Sequence, residues 1–396
     1  MLLHMFVLHL FIEILEKKKI LCNSWTNLMS TKKDKFSTKD KLYMEIALKL
    51  AKSRYGHTGL NPSVGCVIVK NDKIISIGQT SINGRPHAES NAIRNSIENL
   101  NGSKMYVTLE PCCHYGVTPP CTNLITKSKI SEVIYSVPDV DIRVKNKSFK
   151  ILRLKKIKVK KGLLKEKVKN FYSTYFFNRK KKLPYVTGKI AVSKNNLIYS
   201  KLDKKITNNK ADKFTHLLRY KNDSLMISYK TLNNDNPKLN CRLNGVKKYS
   251  PKRIILDSKL NANINSFIIK TANKSNTIIF YNKAGNSQIL SFKKKGINLI
   301  RSKIDNKGRF DIKAILRKLY KMNCRNLLVE GGDELTNYFL RKKIFNKFYL
   351  YKSNKKLSKK NEYLNFNSLN LLKEKYKKKI NLKLNLGKNK ITLYQI

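Results

Sequence analysis

The sequence predicts an α/β protein built from two units, each with helices layered around a sheet. Two observations carry this prediction. The chain has 396 residues, 41% of them hydrophobic, which is enough for two ordinary domains with separate cores. In both halves, short β-branched runs alternate with segments of helical periodicity, and a polar-aromatic helical segment at 163–182 separates the halves. The second unit is about 200 residues long, and we see no internal repeat.

The first half begins with a helix from Lys41, where "KLYMEIALKLAKSRY" places Leu42, Ile46 and Leu50 on one face. A hairpin follows in "GCVIVKNDKIISIGQTS", with an Asn-Asp turn between two β-rich runs. Next come a helix ("HAESNAIRNSIENL"), a buried strand ("SKMYVTLE"), a helix opening at "PPCTNLITKSK" and a strand ("ISEVIYSV"). This order predicts an α/β sandwich, and the helical stretch 163–182 is a plausible connector.

The second half repeats the alternation after Pro184. The predicted order is the strand "YVTGKIAVS", the helix "NKADKFTHLLRYKN", and three strands, "SLMISY", "RIILD" and "NTIIFY". The helix "DIKAILRKLYKM" and the strand "NLLVEGG" complete the pattern. Because the last strand runs into two glycines, backbone and ligand can approach closely where it ends.

Charge is the most unusual feature of the composition. The chain has 84 Lys and Arg against 25 Asp and Glu, a formal net charge of +59, and only 14 of the basic residues are Arg. A nucleic-acid or anionic-membrane surface is one interpretation. We favour compositional bias instead, because the lysines are spread along the whole chain and Asn and Ile are enriched with them. We therefore expect no nucleic-acid partner and no membrane, but efficient capture of phosphorylated small molecules.

The cysteines and the N-terminus indicate the compartment. The seven cysteines are odd in number and three fall within residues 112–121, which favours a metal or thiol site in a reducing, cytoplasmic environment over a disulfide framework. Residues 1–38 form an extension whose apolar run is interrupted by Glu13 and lacks a basic leading segment. We interpret residues 1–28 as a misassigned upstream start before Met29, with a membrane-surface helix as the alternative.

The residues that carry chemistry lie in "GRPHAES" (84–90) and "LEPCCHYGVTPPCT" (109–122). His87 and Glu89 start a helix, Cys112 follows a strand, and Cys121 opens the next helix. One His and two Cys leave the fourth position of a zinc ion open for water, as catalysis requires. Together with a carboxylate that shuttles protons, this layout is the signature of zinc deaminases. Cys113 is expected to be a buried neighbour of the site.

Other interpretations of these motifs predict different sequence features. His-Ala-Glu occurs by chance in many sequences, and Gly-Gly after a strand is by itself an ordinary turn. A non-catalytic zinc module predicts a closed site of four ligands, whereas Glu89 is left unligated. An RNA- or nucleoside-directed zinc deaminase with an accessory binding domain predicts a short Cys-x-x-Cys and clustered basic-aromatic elements. Neither feature is plain here, since eight residues separate Cys112 from Cys121.

The expanded loop "CHYGVTPP", together with "NPSVGCVIV" at 61–69, resembles the bifunctional deaminase–reductase family of riboflavin biosynthesis. The second half is similar to the same family in "KIAVS", "THLLRYKNDSLMISYKTLNNDNPKLNCR", "PKRIILD" and "LLVEGGDELTNYFL". The resemblance runs from about Lys41 onward. It implies an N-terminal cytidine-deaminase-like α/β/α sandwich over 39–162, a linker over 163–182 and a C-terminal dihydrofolate-reductase-like α/β domain over 183–396.

The resemblance also implies the reactions and the cofactors, Zn²⁺ and NADPH. A 2,5-diamino-6-(5-phosphoribosylamino)pyrimidin-4-one is deaminated with Glu89 as the proton shuttle, and its ribosyl group is then reduced to ribityl. The expected metal ligands are His87, Cys112 and Cys121. The implied NADPH contacts are Ala191, Lys205, Thr231, Asp235, Ser258 and Gly332. The implied substrate contacts are Asn61, Asp203, Arg219, Leu239, Arg242 and Glu330. We expect a homo-oligomer.

Overall fold

The computed structural model describes residues 35–203 and 205–395. Both sheets described below belong to one compact unit, Lys39–Ile396. The interpretation of residues 1–28 as a misassigned start lies outside the described residues. Within the described ranges, every helix is too short or too polar to cross a membrane.

The first sheet has five strands in the order β2-β1-β3-β4-β5, built from residues 65–161. Its strands are β1 (Gly65–Lys70), β2 (Lys73–Gln79), β3 (Lys104–Leu109), β4 (Glu132–Val137) and β5 (Lys158–Lys161). The β1–β2 and β1–β3 pairs are antiparallel, whereas β3, β4 and β5 are parallel. The helices of this half are α1 (Thr38–Ser53), α2 (Ala88–Arg94), α3 (Cys121–Lys127), α4 (Lys147–Leu154), α5 (Lys165–Phe171) and α6 (Ser173–Lys181).

The hairpin predicted around Asn71 and Asp72 is confirmed, and both turn residues have positive φ values, 49° and 59°. Asn and Asp tolerate this left-handed backbone, which matches the twist of a two-residue hairpin. The helix predicted over "HAESNAIRNSIENL" is shorter than expected, since it ends at Arg94 with Asn95 as its C-cap. Asn and Ser compete for backbone hydrogen bonds and so favour helix ends over helix interiors.

Sequence periodicity did not predict β5, the edge strand "KVKK". Its four residues are all Lys or Val, and the burial pattern shows none of them fully buried. Charged side chains are typical of exposed sheet edges, where they discourage pairing with another chain. Because these residues cover no core face, they lack the apolar alternation by which a strand is normally predicted.

The second sheet has nine strands in the order β11-β10-β9-β8-β12-β6-β13-β16-β15. Its strands are parallel except at the pairs β13–β16 and β15–β16. They are β6 (Tyr185–Val192), β8 (Ser224–Ser228), β9 (Lys252–Leu256), β10 (Thr277–Tyr281), β11 (Asn298–Arg301), β12 (Asn326–Val329), β13 (Lys347–Lys352), β15 (Lys378–Asn381) and β16 (Lys390–Gln395). The strands β7 (Leu197–Ser200) and β14 (Tyr363–Asn365) form a separate antiparallel pair.

Helices pack on both faces of the second sheet. Along β8, Leu225 and Ile227 belong to one buried cluster and Met226 to another, so both faces of this strand are covered. This explains why its strands read as continuous apolar runs instead of alternating patterns. The helices are α7 (Asn209–Tyr220), α8 (Tyr229–Asp235), α9 (Phe267–Lys270), α10 (Asn286–Lys294), α11 (Ile312–Lys321), α12 (Asp333–Arg341) and α13 (Leu369–Lys375).

The segment 163–182 is helical, as predicted, and packs on the first sheet. Tyr172 is buried, and its hydroxyl lies 2.6 Å from Thr108 Oγ1 and donates to the Ser63 carbonyl at 3.0 Å. The loop after α1 contacts the second half of the chain. The centroid of the His57 ring lies 4.1 Å from that of the Tyr220 ring. These contacts join the two halves of the Lys39–Ile396 unit.

Candidate metal centre and reductase pocket

His87 is the N-cap residue of α2, with an extended backbone (φ −70°, ψ 162°). The helix sits directly on β2, because Gly78 has no side chain in the way. A Cβ at Gly78 would lie 2.1 Å from the Ala88 carbonyl oxygen, so a larger residue would push this helix off the sheet. Gly78 therefore determines how closely α2, which carries Glu89 and follows His87, approaches the sheet.

The two cysteines of the motif come from the end of a strand and the start of a helix, as predicted. Cys112 lies three residues after β3, and Cys121 is the first residue of α3. The backbone N–H of Cys121 donates to Cys112 Sγ at 3.3 Å, and the N–H of Thr122 donates to the Cys112 carbonyl at 3.2 Å. A sulfur that accepts a backbone N–H is well suited to carry negative charge.

His87, Cys112 and Cys121 present their ligand atoms within 4.8 Å of one another. His87 Nδ1 lies 3.5 Å from Cys112 Sγ and 3.5 Å from Cys121 Sγ. A tetrahedral zinc ion with bonds of about 2.3 Å to S and about 2.0 Å to N holds these atoms about 3.6 Å apart. The donor set and its spacing therefore fit Zn²⁺, with a fourth position left for water.

Without a metal, the pKa values of the two thiols are shifted in opposite directions. A hydrogen bond from the Cys121 side chain and the neighbouring His87 lower the pKa of Cys112, against the effect of burial. The same shared hydrogen bond, followed by burial, raises the pKa of Cys121 well above its usual value. Hydrogen bonding to Cys112 raises the pKa of His87. These closely packed side chains share a proton, and a cation that binds them displaces it.

Glu89 lies beside the ligand set and is not part of it. Its residue is 4% exposed, and burial raises the pKa of its carboxyl to about 7. A carboxyl that titrates near neutrality can both accept and return a proton. Cys113, expected to be buried, is instead half-buried, and its Sγ lies 3.5 Å from the Arg143 carbonyl, directed away from the ligand set. The adjacent backbone position turns its side chain to the opposite side of the loop.

Asn61 lies close to the metal-binding segment but lines a different cavity. Its Nδ2 donates to the Gly84 carbonyl at 2.9 Å, and a Cβ at Gly84 (φ +93°) would lie 2.9 Å from Asn61 Cβ. The cavity that it lines lies between the two halves of the molecule and includes Tyr55, Arg179 and Arg325. Among the described residues, no hydrogen bond to its amide oxygen is found.

A second pocket opens at the carboxyl ends of the strands of the second sheet. It gathers seven of the residues implied by resemblance: Ala191, Thr231, Asp235, Gly332, Arg219, Leu239 and Glu330. Arg219, in the last turn of α7, donates from Nε to Glu330 Oε1 at 2.8 Å and from Nη2 to Oε2 at 2.9 Å. Gly332 is the N-cap of α12, and a Cβ there would meet nothing within 4 Å. Open space above a helix N-cap suits the phosphates of NADPH.

Besides Asn61, four residues implied by resemblance do not line this pocket. Lys205 lines a neighbouring depression and pairs with Asp212 at 2.9 Å. Asp203 pairs with Lys355 at 2.9 Å, and exposed Arg242 donates to Asn240 Oδ1 at 3.1 Å. The Ser258 carbonyl accepts hydrogen bonds from the backbone N–H groups of residues 282 and 283.

Lys189 lines the reductase pocket and was missed by sequence reasoning. Burial lowers the pKa of its ammonium, and the nearby Glu330 carboxylate acts in the opposite direction. A signal existed, because Lys189 precedes Ala191 by two residues on β6 and side chains two apart share a strand face. An isolated Lys in a lysine-rich chain gave no reason to single it out.

Comparisons with known proteins match both halves of the chain. The model of the cytidine and deoxycytidylate deaminase zinc-binding region matches residues 37–137, and that of the RibD C-terminal domain matches residues 188–373. The riboflavin biosynthesis protein RibD of Aquifex aeolicus is 33% identical over 79% of this chain and 86% of its own length. That of Actinobacillus pleuropneumoniae is 36% identical over 78% and 82%.

Solved structures show the same relationship. The crystal structure of a diaminohydroxyphosphoribosylaminopyrimidine deaminase/5-amino-6-(5-phosphoribosylamino)uracil reductase from Thermotoga maritima superposes with a TM-score of 0.76 at 28% identity. Acinetobacter baumannii RibD superposes with a TM-score of 0.76 at 25% identity. Each match covers 90% of this chain and 98% of the other.

Proposed function

Because the chain belongs to the RibD family of bifunctional deaminase–reductases of riboflavin biosynthesis, we propose that deamination takes place at the metal centre and reduction in the reductase pocket, carried out by the residues described above. The domains are proposed to span 39–162 and 183–396. The segment 163–182, expected to be a linker, joins them and also packs into the core of the first half through Val168 and Tyr172. The metal centre lies in the first domain and the reductase pocket in the second. The deaminase uses zinc and the reductase uses NADPH.

His87, Cys112 and Cys121 are the residues that would hold zinc. When bound, the ion supplies Lewis-acid activation of water, which makes that water acidic enough to react near neutral pH. The 3.5 Å separations between His87 Nδ1 and the two sulfurs are the observation that carries this assignment.

Glu89 is proposed to move the protons of the deamination. Its buried carboxyl, with a pKa of about 7, accepts a proton from water as the oxygen adds to the pyrimidine carbon bearing the amino group. It then returns the proton to the amino nitrogen, so that the C–N bond breaks and ammonia leaves. Burial of Glu89 has two effects. It raises the pKa of the carboxyl, and it keeps bulk water from exchanging with the transferred proton. Asn61 is the proposed ring contact by resemblance, although here it lines the cavity between the two halves and its Nδ2 donates to the Gly84 carbonyl.

NADPH supplies the hydride that converts the ribosyl group into ribityl. Ala191, Thr231, Asp235 and Gly332 are proposed to contact the cofactor, with Lys205 and Ser258 at its margins. Arg219, Leu239 and Glu330 are proposed to bind the substrate, with Asp203 and Arg242 at the rim of the pocket. The two-pronged pair with Glu330 orients the Arg219 guanidinium, and a fixed guanidinium binds an anionic or carbonyl group of the substrate without further loss of rotamer freedom.

The wider assignment has separate support. None of the six cysteines that the structure describes forms a disulfide, as expected for the proposed reducing, cytoplasmic location. Scattered lysines support the absence of a nucleic-acid or membrane partner, and the phosphorylated pyrimidine is the proposed partner. The family resemblance alone supports a homo-oligomer.

The decisive experiment incubates the purified, zinc-loaded chain with the diaminopyrimidine ribosyl phosphate, with and without NADPH. We expect ammonia release in both reactions and NADPH oxidation only after deamination. Ammonia without any NADPH oxidation would limit the chain to deamination, and neither product would contradict the proposed function of both pockets.

A further inference from the structure

The cavity beside the metal ligands is basic. Besides the ligands His87 and Cys121, its polar lining consists of Arg85, Arg94, Ser90 and Thr118, and no carboxylate lines it. Only 14 of the 84 basic residues of this chain are Arg, so general lysine enrichment does not account for two arginines in one small cavity. The chemistry proposed for the metal centre concerns a neutral ring, which itself needs neither arginine.

Arg85 is held in place by a neutral partner. Its Nη1 donates to Thr118 Oγ1 at 2.6 Å and lies 3.4 Å from His87 Nε2. Other arginines near carboxylates are neutralised, as Arg219 is by Glu330 and Arg143 is by Asp141 at 2.7 Å. In the part of the chain that the structure describes, no Asp or Glu pairs with Arg85. A guanidinium has five N–H donors, so most of those of Arg85 are left for a ligand.

The contact with His87 does not use the Arg85 charge. His87 Nδ1 faces both cysteine sulfurs and is therefore the ligand atom, so in a neutral ring the proton lies on Nε2. A protonated Nε2 cannot accept a hydrogen bond from Arg85. Two donors facing each other favour an anion between or beside them.

Arg94 extends the same basic surface. It lies in the last turn of α2, four residues after Ser90 and seven after His87, so these three residues share one face of the helix. Its side chain is exposed, and none of the described residues forms an ion pair with it. The imidazole ring of His87 separates Arg85 from the metal-facing Nδ1. The positive charge of Arg85 therefore lies at a distance from the carbon that reacts at the metal. In the substrate, the 5′-phosphate likewise lies at a distance from the pyrimidine ring, because the sugar separates them.

We propose that Arg85, assisted by Arg94 and Thr118, binds the 5′-phosphate of the deaminase substrate in this cavity, which adjoins His87 and Cys121 and is not lined by Glu89, and makes this step selective for phosphorylated pyrimidines. The inference rests on the proposed function and assigns it a specificity residue. An Arg fork matches two phosphate oxygens and gives charge-assisted hydrogen bonds, which are stronger than neutral ones. A free phosphate ion has the same chemistry, and the test separates it from the sugar phosphate.

The test compares full-length, zinc-loaded wild type with Arg85→Ala, Arg85→Lys and Arg94→Ala. Ammonia release is measured with the ribosyl phosphate and with the corresponding riboside, and inorganic phosphate is added as a competitor. The control is Arg153→Ala, which removes one charge from an exposed position of the same half, where the guanidinium lies over the Phe149 ring. Zinc content and NADPH oxidation on deaminated substrate show that each variant is folded.

We expect Arg85→Ala to lower the preference for the phosphorylated substrate, the ratio of the two kcat/KM values, by about 10- to 100-fold through KM. Arg94→Ala should lower it less, and Arg153→Ala not at all. Arg85→Lys keeps the charge without the fork and should fall between wild type and Arg85→Ala; it replaces that variant if Arg85→Ala does not fold. Phosphate should inhibit Arg85→Ala less than wild type.

An unchanged preference in Arg85→Ala and Arg85→Lys would overturn the proposal. An equal loss on both substrates would also overturn it, since Arg85 would then act on the metal centre instead of the phosphate. Weaker phosphate inhibition with an unchanged preference would assign Arg85 to free anions only, against the proposal. No ammonia from either substrate with wild type would contradict the deaminase assignment itself, which is a distinct result.

Discussion

Arg219 and Glu330, separated by 111 positions in the chain, form a two-pronged ion pair inside the reductase pocket, with N–O distances of 2.8 and 2.9 Å. Both side chains are about nine-tenths buried, at 10% and 12% exposure. Burial alone would favour the neutral acid, but the Arg219 guanidinium more than offsets it and lowers the pKa of Glu330 to about 2. Each charge is the reason that the other can remain in the interior.

Replacing Glu330 with Gln should impair reduction and leave deamination intact. The neutral amide leaves the buried guanidinium uncompensated, and breaking a buried pair costs about 3 kcal/mol or more. We expect NADPH oxidation to fall at least tenfold while ammonia release stays within about twofold. The matched control is Glu334→Gln, because Glu334 is exposed and pairs with Lys230 at the surface. Loss of ammonia release with reduction preserved would reverse the assignment of the two pockets.

The same pair predicts a pH dependence of stability. Its carboxylate has a pKa of about 2 when folded, against about 4.3 in an unfolded chain, so ionisation contributes about 3 kcal/mol. Because the folded pKa is the lower one, this contribution is complete above about pH 5 and is lost as pH falls from 4.3 towards 2. Urea unfolding of wild type and Glu330→Gln should show a constant difference between pH 8 and 5.5 that shrinks below 4.3. A difference that already shrinks between pH 8 and 6 would contradict the pair.

Glu89→Gln should retain zinc and lose deamination. The amide keeps the size of the side chain but cannot accept and return a proton, and proton transfer of this kind contributes about 10²- to 10⁴-fold to rates. Ammonia release, metal content and NADPH oxidation on deaminated substrate are measured on one preparation. Retained deamination would refute the role of Glu89 as proton shuttle, whatever the metal content.

The two adjacent cysteines should behave differently. Cys112→Ser removes a sulfur that lies 3.5 Å from His87 Nδ1, so zinc affinity should fall by at least about tenfold. Cys113→Ser changes a neighbour whose sulfur faces the Arg143 carbonyl, and one zinc per chain should remain. Elemental analysis after dialysis against a weak chelator distinguishes them. Equal zinc loss in both variants would mean that the cysteine ligands are misassigned.

The Tyr172 hydroxyl should stabilise the packing of the 163–182 segment on the first sheet. Tyr172→Phe leaves buried polar groups of Thr108 and Ser63 without this partner, at a cost of about 1–3 kcal/mol in the free energy of unfolding. Tyr115→Phe, at a tyrosine that is 76% exposed, serves as the control and should change it little. If the two variants are equally stable in denaturant unfolding, the segment behaves as a linker without a part in the core.

The predictions from the sequence that agree with the structure concern residues at the ends of helices and strands. His87 and Glu89 at a helix start and Cys112 and Cys121 at a strand end and a helix start were identified from spacing, and the structure brings the three ligands together. The edge strand "KVKK" and the pocket-lining Lys189 escaped, because a lysine-rich composition hides both a charged strand and a single buried lysine.

The sequence alone predicted the α/β class, many of the strands and the metal-binding motif, since backbone preferences and short-range spacing are local properties of the chain. It did not predict α8 and α9, which lie between the strands "SLMISY", "RIILD" and "NTIIFY". Only the tertiary structure decided which of two neighbouring cysteines faces the histidine, that Arg85 Nη1 lies 3.4 Å from His87 Nε2, and that Arg219 meets Glu330. These relationships depend on distances between segments far apart in sequence. Packing sets those distances, and burial then sets the protonation states that the chemistry requires.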